Sequence, residues 1–165
     1  MHYQNTRSAM KTWLAMIVLC GLVALPASAQ AKEVTINTQL SQYQGDGAYL
    51  AIYLTDTKGV YQQTLWVSGK KSKYYKHLSG WARGSQRSQA EYDGLTGASI
   101  TQGETLKVTV KLDDKLIDSG YQIRVDAAVE DMSDQPAAVD APLTTKGVGR
   151  PTHGQGYIES LIYTF

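Results

Sequence analysis

Cysteine is almost absent from this chain: Cys20 is the only one in 165 residues. It lies inside the apolar stretch Trp13–Leu25, and Leu19 stands where a lipidated cysteine needs a small residue, which argues against a lipid anchor. A chain cut after Ala29 keeps no thiol, so disulfides, thiol redox chemistry and c-type haem attachment are excluded from it. Any redox role would need an added cofactor. Charge of one sign is lacking too. The sequence has 16 basic and 15 acidic residues, and loss of residues 1–29 removes Arg7 and Lys11 but no acid, leaving a net charge of −1. That balance gives no reason to expect nucleic acid or an anionic membrane as a partner. Only His77 and His153 remain beyond that cut, a pair too sparse for a metal or haem site. No Ser-His-Asp spacing, paired-acid motif or phosphate-binding P-loop appears, so hydrolytic catalysis has no candidate.

The N-terminus carries the parts of a secretory signal. Arg7 and Lys11 form the basic region, Trp13–Leu25 the apolar one, and Pro26-Ala27-Ser28-Ala29 the cleavage site. The apolar run is shorter than the ~20 residues of a membrane span, although an uncleaved anchor is the competing reading. No twin arginine is present, so general export is the simpler route. The expectation is a signal peptide over 1–29 and one domain over 30–165, placed in the periplasm. That length suffices for one core.

Period-two alternation dominates the rest. Val34–Leu40, Ala48–Thr55 and Val60–Val67 read as strands, joined by turns at Gln44–Gly47 and Thr57–Gly59, and are expected to form an antiparallel meander. Thr105–Leu112, Tyr121–Val129 and Tyr157–Phe165 alternate in the same way, with a short edge strand near Val139. Between the two groups Ser72 is placed to cap a short helix in which Tyr74, Leu78 and Trp81 recur at i, i+4 and i+7. Gly80 and Gly84 limit it to two or three turns. Arg83–Gln89 reads as irregular. The expected architecture is an all-β, immunoglobulin-like antiparallel β-sandwich with one short helical insertion.

One stretch follows neither period: Asp93-Gly94-Leu95-Thr96-Gly97-Ala98-Ser99. Its glycines let the backbone approach another molecule, and successive N–H groups in such a turn can seat a phosphate. It ends on a hydroxyl with small neighbours. The same residues are also ordinary turn chemistry between two elements.

The pattern D-x-x-[S/T]-G-A-[S/T] resembles the flavinylation motif of proteins modified by the FAD:protein FMN transferase. Among these are the FMN-carrying subunits of sodium-pumping NADH:quinone reductases and of Rnf complexes. The resemblance implies FMN bound covalently to Ser99 through a phosphoester, with Asp93, Gly94, Thr96, Gly97 and Ala98 as the recognition loop. A second resemblance runs through Lys73–Trp81, Asp93–Ser99 and Gly120–Ala128. It is to predicted periplasmic proteins often encoded beside PepSY membrane proteins and the transferase. It implies a periplasmic electron carrier, not an enzyme, working with a PepSY-type membrane redox partner. The chain departs from that pattern at Gly80-Trp81-Ala82.

Several side chains are candidates to border the flavin: Trp81, Tyr74, Tyr75 and Trp66. For Tyr74 and Trp81, packing of the helix onto the sheet is the alternative. Lys70, Lys71, Lys73, Lys76, Arg83 and Arg87 make a basic segment suited to FAD phosphates or an acidic partner, or simply a solvated face. His153–Gly156 is a turn or a mobile loop. The rival function is a non-redox exported immunoglobulin-like module that binds an envelope polysaccharide or protein through tyrosine-rich strands.

Overall fold

The computed structural model describes residues 30–165; the expected signal peptide over 1–29 lies outside the described residues. Among these described residues nine strands form two sheets packed face to face. In chain order they are β1 (Ala31–Leu40), β2 (Tyr49–Thr55), β3 (Tyr61–Ser68), β4 (Thr96–Gly97), β5 (Thr105–Asp113), β6 (Gln122–Ala128), β7 (Gln135–Pro142), β8 (Thr152–His153) and β9 (Ile158–Thr164). One sheet has the order β5-β1-β9-β8 and the other β4-β3-β2-β6-β7. The expected all-β sandwich with a short helical insertion is the fold found.

Alternation sets which side chains meet between the sheets. Val34, Ile36 and Leu40 of β1 face Leu50, Ile52 and Leu54 of β2 and Ile123, Val125 and Ala127 of β6 across one continuous core. On β9 a register shift opposite Gln39–Leu40 brings both Ile158 and Leu161 inward.

Three expectations need correction. The meander does not form: β1 pairs with β5 and β9, while β2 and β3 belong to the opposite sheet. Alternation identifies a strand but not its neighbour, and the Gln44–Gly47 connection crosses between sheets rather than closing a hairpin. The edge strand near Val139 is eight residues long, and its prolines, Pro136 and Pro142, are tolerated because β7 pairs on one side only. The helical insertion is broken. A 3-10 helix spans Ser72–His77, Leu78 interrupts it at φ −80°, ψ 68°, and helix α1 spans Ser79–Gly84. Ser72 is the first helical residue and supplies no cap.

That break decides which face is buried. Tyr75, Leu78 and Trp81, three residues apart, turn onto the outer surface of the five-stranded sheet, while Tyr74 stays partly exposed. With Ala51, Tyr53, Val67 and Ala128 they make a second apolar cluster. β2 is therefore buried on both faces. The cluster is closed by Tyr92, whose ring stands edge-on to Tyr75 at 5.3 Å and to Trp81 at 5.9 Å. Asp126, wholly buried on the outer face of β6, ties the insertion down. It accepts hydrogen bonds from Tyr53 Oη (2.9 Å), the Trp81 amide (2.8 Å) and the Ala137 amide (2.9 Å). No motif or period in the sequence marks this carboxylate.

Candidate functional site

Tyr92, anchored in the aromatic cluster, delivers the chain to the glycine-rich loop. The Leu95 amide donates to Tyr92 O at 2.9 Å, closing a turn through Asp93 and Gly94, and Gly94 takes φ +73° with open space around it. The next two residues form β4, which pairs in parallel with β3 at Val67↔Thr96 and Ser68↔Gly97. A stretch that follows neither period in sequence thus carries a two-residue strand. The Val67 amide donates to Leu95 O and the Gly69 amide to Gly97 O, both at 2.8 Å. After Ser99 the chain is fastened again, by reciprocal backbone bonds between Ala48 and Ile100 at 2.7 and 3.1 Å. The loop is held at both ends on the edge of the sheet.

Gly97 lies flat on the Trp66 indole: a Cβ there would sit 2.7 Å from Trp66 Cζ2. Leu95, Gly97 and Ile100 are partly covered, whereas Asp93, Gly94, Thr96, Ala98 and Ser99 are exposed. Ser99 Oγ makes no hydrogen bond among the described residues, and neither do the amides of Ala98 and Ser99. A hydroxyl beside two unengaged amides on an exposed edge fits attachment of a phosphoryl group. Gly47 keeps the space behind it clear, since a Cβ there would lie 3.0 Å from Ser99 Oγ.

The flanking candidates separate. Trp81 is wholly buried, with Nε1 donating to Thr64 Oγ1 at 2.8 Å; it packs the insertion and has no face left for a ligand. Tyr75 is buried as well and donates to Gly69 O at 2.8 Å. Trp66 is half-buried beneath Gly97. Tyr74 alone lines an open groove, together with Tyr49, His77 and Met132. The six basic side chains from Lys70 to Arg87 are all exposed, and Lys73 Nζ stands 4.7 Å from the Tyr74 ring centroid. His77 pairs with Asp134 at 3.2 Å, while His153 lies away on β8. The His153–Gly156 stretch is a turn between β8 and β9, its Gln155 amide bonded to Ala138 O at 2.8 Å. Among the described residues no three His, Cys, Asp or Glu side chains gather as a metal site, and no helix is long and apolar enough to cross a membrane.

Residues 31–160 match the model of the family DUF2271, described as a predicted periplasmic protein. The chain belongs to that family. The DUF2271 match takes in both sheets, the broken helical insertion and the Asp93–Ser99 loop, and agrees with the export expected from the N-terminus. No curated protein and no solved structure matches the chain.

Proposed function

We propose that this periplasmic DUF2271 protein is an electron-transfer flavoprotein, with FMN joined to Ser99 by a phosphoester. The observation that carries the reading is the state of Ser99 Oγ: exposed, without a hydrogen-bond partner among the described residues, and followed by a fastened backbone. The chemistry balances as a group transfer. Ser99 Oγ attacks the FMN-side phosphorus of FAD on the transferase, the pyrophosphate bond breaks, AMP leaves, and the hydroxyl proton passes to a base of that enzyme. Asp93, Thr96 and Ala98, exposed on the same loop, are what the transferase would read. Once attached, FMN supplies one- and two-electron redox chemistry. The chain's own part is to hold the tether, which keeps the cofactor from diffusing away outside the inner membrane. A PepSY-type membrane protein is the proposed redox partner.

Co-expression with an FAD:protein FMN transferase tests this. Exported protein is expected to be yellow after denaturation and heavier by one FMN phosphoester in intact-mass measurement, whereas Ser99→Ala is colourless and unshifted. An unshifted wild-type mass beside an active transferase would overturn the proposal. The rival, a tyrosine-rich binding surface, draws less support from the side-chain positions. Every tyrosine from Tyr43 to Tyr163 is buried or partly buried.

A further inference from the structure

The groove that Tyr74 lines has a volume of roughly 250 Å³, and its floor is Ala128 and Val129. Tyr49 and Tyr74 meet there edge to face, centroids 5.6 Å apart and planes at 70°, so two aromatic surfaces bound one space. Met132 borders it and is 39 % exposed, one of only two large hydrophobic side chains so open among the described residues. Thioether and tyrosine rings are the partners a flat aromatic ligand seeks. The volume is below the ~300 Å³ where pockets for whole drug-sized ligands begin, which suits a ring system better than a nucleotide.

The groove and Ser99 flank one short turn. A Cβ on Gly45 would lie 2.9 Å from Met132 Sδ and 3.1 Å from Val129 Cγ1, and one on Gly47 would lie 3.0 Å from Ser99 Oγ. Two peptide units separate these glycines, about 7 Å at full stretch. On the other flank Tyr49 presses against Gly69, whose amide holds Gly97 O at 2.8 Å. Two walls of the groove, Tyr49 on one side and Val129 with Met132 on the other, thus each reach the hydroxyl-bearing loop through one intervening backbone segment.

We propose that this groove is the seat of a planar heterocycle, the isoalloxazine ring of the FMN carried by Ser99, with Tyr74 and Met132 against its faces. The proposal rests on the attachment argued above, and adds that the ring is docked rather than free on its tether. The rim, with Glu130 3.4 Å from Tyr74 Oη and His77 paired to Asp134, would meet the polar edge of the ring.

Two measurements separate docking from attachment. Flavinylated protein, with the load of each sample fixed by intact mass, is compared with free FMN for fluorescence yield and anisotropy per bound flavin. Quenching of severalfold and slow tumbling are expected, with both relaxing toward free FMN in Tyr74→Ala and in the exposed-site variant Met132→Ala. Independently, Ser99→Ala protein is titrated with lumiflavin, the bare ring. Saturable quenching that Tyr74→Ala or Met132→Ala abolishes supports the groove even if the attachment reading fails. A flavin on Ser99 with the yield and anisotropy of a mobile tether, or lumiflavin quenching indifferent to both substitutions, overturns the proposal while leaving attachment standing.

Discussion

Single hydroxyls in this protein show how much a neighbour matters. Thr38 is wholly buried on the core face of β1, where the sequence shows only an alternation of Val, Ile and Leu interrupted by a polar residue, and its Oγ1 has no hydrogen-bond partner among the described residues. Leaving such a group unpaired costs of the order of 1 kcal/mol or more. Thr38→Val is expected to raise the unfolding free energy by about 1 kcal/mol, read as a shifted urea midpoint at constant m-value. Tyr61 is the opposite case. Burial, then hydrogen bonding to Glu91, pushes its phenol up to about 12. A raised folded-state value favours the neutral form, so this stabilisation is complete below the unfolded tyrosine value near ~10 and is lost as pH climbs from there through 12. Stability should fall over that alkaline window, and Tyr61→Phe should flatten the fall. An unchanged slope in the variant would place the titration elsewhere.

At the scale of elements, the insertion between β3 and β4 is what distinguishes this sandwich. Its sequence reads as one amphipathic helix with Tyr74, Leu78 and Trp81 on one face; the structure keeps Leu78 and Trp81 there but buries Tyr75 in place of Tyr74. The interruption at Leu78 was not legible because it comes from tertiary contacts, chiefly the seating of the Trp81 amide on Asp126. Gly80 is part of the same arrangement, since a Cβ there would stand 2.7 Å from Tyr53 Oη and 2.9 Å from Asp126 Oδ2. Removing the carboxylate strands three donors, two of them buried, each worth ~1–3 kcal/mol. Asp126→Ala is expected to cost about 3 kcal/mol or more by chemical denaturation, and to speed amide exchange over residues 72–92 ahead of β1 and β9. Uniform acceleration across both sheets would show that the insertion is not a separately opening unit.

For the molecule as a whole, strand existence is written in the alternation, and six of the nine strands among the described residues can be named from it. Pairing was not, because period two says which face a residue takes and nothing about which sheet its strand joins. Short pieces such as β4 and β8 are set by backbone partners alone and leave no periodic trace. The candidate loop was legible through its residue types, and Ser99 with them. The groove was not: its parts, Tyr49, Tyr74 and Ala128–Met132, are scattered along the chain and converge only once the outer face of β2 and β6 is built. Trp81 shows the converse, an aromatic near the site in sequence and sealed from it in space.

The edge position of β4 has one more consequence. A serine enclosed in the core would have to be esterified on a nascent, unfolded polypeptide, before the barrier to reaching it rose. Here the Ser99 oxygen already faces solvent beside a clasped rim, so under the proposed attachment translocation, folding and loading would occur in that order, and protein that has finished folding would remain a competent substrate for the transferase.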